Sequence, residues 1–413
     1  MTRSLYTLLI TLALPLIALR LWWRARRQPE YLQHVGERFG RYRGEANTSP
    51  LIWLHAVSVG ETRAAEPLLR ALREHYPQHR ILLTHMTPTG RETGVALFGE
   101  DLLRCYLPYD YPRAVARFLD HYRPSVGVLM ETEIWPNLVH ACQARGLPLY
   151  LVNARLSEKS FARYQRVGAL TADTVSALTA IAAQSPDDAR RFDALGATQV
   201  TVTGNLKFDV APSAVHLALG EHLREGFGAR RVLLAASTRD GEELLFINNK
   251  LHEIPNTLLV IVPRHPQRFD EVAALLDQHR IAYQRRSTNE PVRAETRVLL
   301  GDSMGEMVAY YAACDVAFVG GSLLPFGGQN LIEACAVGKP VLIGTHTHNF
   351  AEATERAVTA GAALRVMDGA DLLRKATALL DNPKVTERMH AAALAFSGEH
   401  RGATQKLLEL IRF

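Results

Sequence analysis

Cysteine is scarce in this chain of 413 residues: Cys105, Cys142, Cys314 and Cys335 stand far apart, and no CxxC pair occurs. That spacing argues against a disulfide scaffold or a metal ribbon and fits a reducing compartment. A surplus of one charge is also lacking, since 47 Lys and Arg against 42 Asp and Glu leave only +5. Such an excess is too small to mark a nucleic-acid binder. There is no short-period repeat and no low-complexity tract. With 47% apolar and 22% charged residues, the composition is that of a globular protein and excludes disorder, collagen and coiled coil for most of the chain. At roughly 150 residues per domain, the length predicts two or three domains. Long apolar runs are rare too, with one exception.

That exception is Leu5–Leu19, LYTLLITLALPLIAL, which carries no charge. It ends at Arg20, and Trp22, Trp23, Arg24, Arg26 and Arg27 follow. A bilayer-spanning helix needs about 20 apolar residues, so the run reaches that length only if Arg20 snorkels. A cleaved signal peptide carries its charge before the apolar run and a small-residue site after it. Here only Arg3 precedes, while Arg and Trp crowd the far end, where interface anchors belong. The reading is an uncleaved anchor over residues 1–24, with a signal peptide or a core helix as alternatives. The positive-inside rule then puts the rest of the chain in the cytoplasm, and the small positive charge suits an anionic leaflet.

Beyond a polar stretch at 36–50, short β-rich runs alternate with helical patterns. The first half offers strands at Leu51–Ala56, Arg80–Met86, Leu103–Leu107, Ser125–Met130, Leu147–Ala154, Leu178–Ala183 and Gln199–Thr203. Helices are expected near 61–76, 111–122, 136–145, 157–174 and 186–195. The second half restarts at Arg231–Ala236, Leu258–Val262, Val298–Gly301, Asp315–Val319, Pro340–Ile343 and Ala363–Val366. Continuously apolar strands joined by helices mark parallel sheets covered on both faces. The fold class is therefore α/β, with two doubly wound domains in tandem and Gly204–Ser213 as the linker. In such sheets ligands bind beyond the carboxyl ends of the strands, so the strand-exit loops carry the chemistry. The cleft between two facing domains is the expected site.

In the first half, strand one exits into His55-Ala56-Val57-Ser58-Val59-Gly60-Glu61, where Ser58 and Gly60 let the backbone approach a ligand. Glu61 at the helix start reads either as a dipole-complementing acid or as a general base. The dipole is expected to lower its pKa and keep it ionised. Strand two exits into a loop over Thr84–Gly94, whose Thr89, Gly90 and Arg91 suit an anion or a sugar. Strand four exits into Glu131-Thr132-Glu133-Ile134-Trp135-Pro136, and two acids directly after an apolar strand are costly to bury without purpose. Pro136 is expected to open the next helix, one of the two acids capping it.

In the second half, Ser237, Thr238 and Arg239 precede a helix opened by Glu242 and Glu243; hydroxyls, free amides and an arginine there suit a phosphate. Pro263, Arg264 and His265 occupy the same place one unit later. Gly320–Asn330 holds Gly327, Gly328 and Gln329 in a loop that is neither Walker A nor GxGxxG, yet allows a backbone cradle. Asn330 and Glu333, three apart, share a helix face, and a carboxylate there can accept from both hydroxyls of a ribose. His346 and His348 lack a third ligand at a recognisable spacing and read as exposed loop residues.

Taken together, HAVSVGE, TPTGRETG, YLPYDYP, ETEIWPN, VNARLS, GNLKFD, STRDGEE, PRHPQRF and GGSLLPFGGQNLIEACAVGKPVLIG resemble the lipid A Kdo (3-deoxy-D-manno-octulosonic acid) transferases, inverting GT-B glycosyltransferases. The resemblance spans nearly the whole chain. It departs at STRDGEE, where the family more often has histidine in place of Arg239, and at HTHNF. It implies a CMP-Kdo donor, a lipid A precursor as acceptor, and no cofactor or metal. It also implies inner-membrane lipids but no nucleic acid as partners, and placement on the cytoplasmic face of the inner membrane. Residues 25–208 would form the acceptor domain and 209–413 the donor domain, with the last helix packing back on the first. By resemblance Glu61 is the base and Glu131 a second functional acid. Ser58, Gly60, Thr89, Gly90, Arg91 and Glu133 would meet the acceptor. Lys207, Ser237, Thr238, Arg239, Pro263, Arg264, His265, Gly327, Gly328, Gln329, Asn330 and Glu333 would meet the donor. The rivals are a GT-B enzyme using a UDP-sugar, a non-catalytic membrane-anchored nucleotide-binding protein, and a periplasmic binding protein.

Overall fold

The computed structural model describes residues 1–209, 212–399 and 401–412. Two residues of the expected linker, Val210 and Ala211, lie outside the described residues. The chain divides into two compact units, Met1–Val210 with Arg401–Phe413, and Ala211–His400.

The first unit is built on β1 (Leu51–His55), β2 (Arg80–His85), β3 (Leu103–Tyr106), β4 (Val126–Met130), β5 (Leu149–Ala154), β6 (Ala180–Ala183) and β7 (Val200–Val202). They form one sheet in the order β3-β2-β1-β4-β5-β6-β7. Pairing is parallel throughout, as Trp53 facing Leu82 and Gly127 shows. β1, β4 and β5 are buried at every position, because helices cover both faces. The order reverses between β1 and β4, which makes their carboxyl ends a topological switch point.

The second unit carries β8 (Arg231–Thr238), β9 (Thr257–Pro263), β10 (Tyr283–Arg285), β11 (Val298–Leu300), β12 (Val316–Val319), β13 (Val341–Ile343) and β14 (Ala363–Arg365). Its sheet runs β10-β11-β9-β8-β12-β13-β14, again parallel, with the switch point between β8 and β12. Each expected run holds a strand. β10 was not among them: Tyr-Gln-Arg at the sheet edge has a single neighbour to pair with and needs no apolar run.

Three expectations are corrected. The strand-two exit, expected as a loop over Thr84–Gly94, is helical from Pro88 to Phe98. Thr87 caps it by accepting the Gly90 N–H at 3.1 Å, and Pro88 sits where its missing N–H costs nothing. The helix expected at 157–174 breaks at Val167 into Glu158–Arg166 and Gly168–Ser176. The polar stretch at 36–50 is entered by a helical turn, Val35–Arg38, whose Arg38 is buried.

The last helix, Ala403–Leu410, packs in the first unit: Ala403, Leu407 and Ile411 share a core cluster with Ile52, Leu68 and Leu206. The Asp209 carboxylate accepts the Gly402 N–H at 2.7 Å, and the Tyr150 hydroxyl donates to the Arg412 carbonyl at 3.0 Å.

Candidate functional site

In the first unit the β1/β4 switch point gathers acids. Glu61 lies in the first turn of the helix Val59–His75 and turns back on the strand exit. One carboxylate oxygen accepts the Val57 N–H at 2.7 Å, the other the Ser58 hydroxyl at 3.2 Å, an arrangement close to a capping box. Its pKa nevertheless stands at about 7. Burial raises it most, the neighbouring Glu131 and Glu133 add to the rise, and the two hydrogen bonds only partly counter it. The expectation of a dipole-lowered pKa is thereby overturned, because desolvation outweighs the helix end.

Glu131 begins the loop after β4 with a left-handed backbone, φ 56°. A non-glycine residue pays for that conformation, and such strain concentrates at functional sites. Its N–H donates to the Val152 carbonyl, and its carboxylate stands 3.9 Å from the Lys207 ammonium. Glu133 accepts the Trp135 indole N–H at 2.7 Å, and burial raises its pKa. Neither acid caps the helix Pro136–Ala144. Asp110, from the loop after β3, does so by accepting the Asn137 and Leu138 N–H groups at 3.0 and 2.8 Å. Lys207, expected among the donor contacts, lies in the first unit beside Glu131. Its turn is fastened by Asn153, whose side-chain oxygen accepts the Leu206 N–H, and by the chain of Gln184 and Asn205 behind it.

The other expected acceptor residues separate. Gly90 presses on the β1 exit, where a Cβ would come 3.1 Å from the Val57 carbonyl oxygen. Gly60 and Thr89 are exposed in first turns of their helices. Arg91 is committed elsewhere: it pairs with Glu37 at 2.7 Å and stacks over the Tyr106 ring, while Glu37 also takes the Tyr106 N–H. Sequence reasoning missed His55, which is buried behind Trp135 with its ring held neutral, its pKa driven down to about 3 chiefly by burial.

In the second unit the loops after β8, β9 and β12 meet. Gly320 makes this possible, since a Cβ there would come within 2.5 Å of the Ser237 carbonyl oxygen. Ser237 itself is left-handed, φ 54°. The amides expected to be free for a phosphate are taken. Buried Glu242 accepts the Arg239 and Gly321 N–H groups at 2.9 and 2.7 Å, and those of Ser322 and Leu323 at 3.1 Å each. A carboxylate of the chain's own helix start thus fills the cradle, and the expectation of open amides there is corrected. Glu243 accepts the Thr238 hydroxyl at 2.6 Å and pairs with Arg268 at 2.7 Å.

Beyond that belt lie the other side chains expected to meet the donor. Arg239 lies over the Phe326 ring, 4.7 Å to its centre. Arg264, which follows Pro263 at the end of β9, donates to the Gln329 side-chain oxygen at 3.1 Å. Exposed His265 feels Arg239, Arg264 and Arg268, which with burial as the larger cause lower its pKa. Gly327 and Gly328 form the turn whose Gly328 N–H donates to the Gly321 carbonyl. Asn330 donates to Glu333 at 3.0 Å and accepts the Ile332 N–H, fixing both at the start of the helix Ile332–Ala336. Chemically, the first unit offers a proton acceptor among acids and one ammonium, and the second a cationic, hydrogen-bonding surface fit for an anion.

Residues 33–210 match the family model described as 3-deoxy-D-manno-octulosonic-acid transferase (kdotransferase), and 248–395 that of glycosyl transferases group 1. The 3-deoxy-D-manno-octulosonic acid transferase of Bordetella pertussis is 45% identical, over 100% of this chain and 99% of its own. The chain belongs to the 3-deoxy-D-manno-octulosonic acid transferase family. The Haemophilus influenzae transferase of the same description is 40% identical over 100% of this chain and 98% of its own. Among solved structures, the UDP-GlcNAc 2-epimerase of Neisseria meningitidis bound to UDP-GlcNAc aligns with a TM-score of 0.60 at 17% identity. It covers 87% of this chain and 98% of that one, and at such identity it speaks for the fold alone. The protein is a glycosyltransferase of this family, and its two doubly wound sheets are those of the GT-B fold.

Proposed function

We propose that the protein transfers Kdo from CMP-Kdo to a hydroxyl on the glucosamine disaccharide of a lipid A precursor, at the cytoplasmic face of the inner membrane. The observation that carries this reading is the acid cluster at the β1/β4 switch point, with Glu61 held near neutrality. A base works best when its pKa lies near the operating pH. Glu61 takes the proton of the acceptor hydroxyl as that oxygen attacks the anomeric carbon of Kdo. The bond from that carbon to the CMP phosphate oxygen breaks in the same displacement, the configuration inverts, and CMP leaves with the electron pair.

Arg239, Arg264 and His265 receive the negative charge gathering on the phosphate, which needs charge compensation as the bond breaks. Asn330 and Glu333 face the phosphate and ribose. Glu131, 3.9 Å from Lys207, steadies positive charge developing on the sugar ring. Ser58 and Glu133 line the acceptor's approach.

The test is Kdo transfer by detergent-solubilised protein to tetraacylated precursor, read by mass spectrometry, in wild type, Glu61→Gln and Glu131→Gln. Loss in Glu61→Gln with CMP affinity kept supports the assignment. Retention there with loss in Glu131→Gln moves the base to Glu131, whose strained backbone is the observation in its favour. Competition by UDP in place of CMP would instead favour a UDP-sugar donor.

A further inference from the structure

The helix Arg3–Ala25 is long and apolar enough to cross a membrane, yet it is tied to the first unit at both ends. Near its start the Tyr6 hydroxyl donates to Asp110 at 2.9 Å, and the Thr7 hydroxyl donates to Asn137 at 2.8 Å. Near its end Leu21 and Ala25 are buried with Tyr31, and the Arg24 guanidinium sits 4.7 Å from the centre of the Tyr31 ring. At 1.5 Å per residue, Tyr6 and Leu21 are about 22 Å apart along the axis.

Suppose the helix stood across a bilayer with its Trp and Arg end at the interface. Tyr6 would then drag Asp110 and the first turn of the helix Pro136–Ala144 about 22 Å into hydrocarbon. A carboxylate and the polar loops around it do not survive there.

The two faces of the helix agree with the alternative. Leu5, Leu8, Leu12, Leu16, Leu19 and Trp23, spaced three and four apart, form an exposed apolar stripe on the side away from the body. Among the described residues nothing covers it. The occupant is marked by charge: from Met1 to Pro29 there are five arginines and no acid. Arg26 and Arg27 stand over the Trp22 and Trp23 rings, 4.0 and 5.5 Å from their centres. Indoles beside guanidiniums at the end of an apolar stripe match the headgroup level of an anionic bilayer.

We propose that this helix lies in the plane of one leaflet of an anionic membrane, its leucine stripe among the acyl chains, and does not span. Its dock defines what it does there. Asp110 follows β3, and Asn137 stands six residues after Glu131, so the helix is fastened to the same carboxyl edge that carries the acids. That edge is held at the headgroups, where the sugar of a lipid acceptor meets it while the acyl chains stay in the leaflet. This last step rests on the proposed function, whereas the in-plane helix does not.

The test is the topology of residue 4 in the full-length protein. The four native cysteines are buried, so Ser4→Cys is a clean reporter, with exposed Glu45→Cys as the body control. A membrane-impermeant maleimide is applied to spheroplasts and to inside-out inner-membrane vesicles of the expressing cells. Both cysteines should react fully in the inside-out vesicles and not in spheroplasts. Modification of Ser4→Cys from the spheroplast side means a spanning helix and overturns the proposal, as does recovery of the protein in the soluble fraction. Kdo transfer from added CMP-Kdo is read in the same vesicles. A spanning helix with transfer intact sinks only the topology, and an in-plane helix without transfer sinks only the acceptor reading.

Discussion

Glu61 couples activity to stability, and Glu61→Gln separates the two. Burial and the neighbouring acids move its pKa from the ordinary 4.5 to about 7. At 1.36 kcal/mol per pK unit, the ionised group costs the folded state about 3 kcal/mol above pH 7. The sign follows from the raised folded value: the favourable protonated form is fully present below 4.5 and is lost as pH rises through about 7. Glutamine cannot ionise, but it offers one oxygen where the carboxylate accepts from both Val57 and Ser58, a loss of about 1 kcal/mol. Glu61→Gln should therefore be more stable than wild type by about 2 kcal/mol at pH 8, a rise in Tm of roughly 4–8 °C. At pH 4 it should gain nothing. Transfer should fall by about two to four orders of magnitude, and wild-type kcat/KM should rise with pH through about 7 as the base deprotonates. Thermal unfolding at both pH values and initial rates by mass spectrometry read all three. A variant less stable than wild type at pH 8, or a wild-type rate flat from pH 6 to 8, would refute the reasoning.

Further substitutions test the rest of the molecule. Arg264→Ala and Arg239→Ala each remove a cation proposed to meet the donor phosphate, and titration calorimetry should show CMP binding weakened about 10- to 100-fold with Tm little changed. Glu242→Gln leaves at least two of four buried N–H groups without an acceptor, which should cost the second unit about 2–4 kcal/mol in denaturant unfolding. Gly320→Ala drives a methyl into the Ser237 carbonyl and should destabilise by about 1–3 kcal/mol, with CMP binding lost alongside because the loop carries Gln329 and Asn330. Tyr6→Phe with Thr7→Val removes both hydrogen bonds that dock the N-terminal helix. Transfer to acceptor in vesicles should fall while CMP affinity holds, and a parallel loss of both would point to unfolding.

Most of the fold was legible in sequence because parallel strands buried on both faces must be apolar along their whole length. LIWL and VGVLM are examples, and the polar residue that closes β1, His55, is buried only with its ring nitrogen partnered by Thr84. Tyr283–Arg285 was not legible, since an edge strand makes no such demand. The helix from Pro88 was hidden by Gly90 and Gly94, which read as loop residues but serve close packing against the Val57 carbonyl and the His85 ring. Positions of acids relative to strand ends were readable, whereas their partners were not. Glu37 lies 54 residues before Arg91, in a stretch that looked only polar, and nothing local says that the two pair.

The contrast between Glu61 and Glu242 shows what the missing tertiary information decides. Both acids follow the first strand of a doubly wound sheet, in the first turn of the helix beside the switch point. Composition and spacing make them equivalent. Glu242 meets four backbone N–H groups drawn from two loops, and so becomes the clasp that holds the β8 and β12 exits together. Glu61 meets one N–H and one hydroxyl, with two carboxylates in place of further donors. Burial raises the Glu242 pKa as well, but the four N–H donors on that carboxylate counter the rise and favour its ionised form over taking a proton. One that is buried, half-satisfied and crowded by like charge gains by accepting one, and that is the condition a general base at neutral pH must meet.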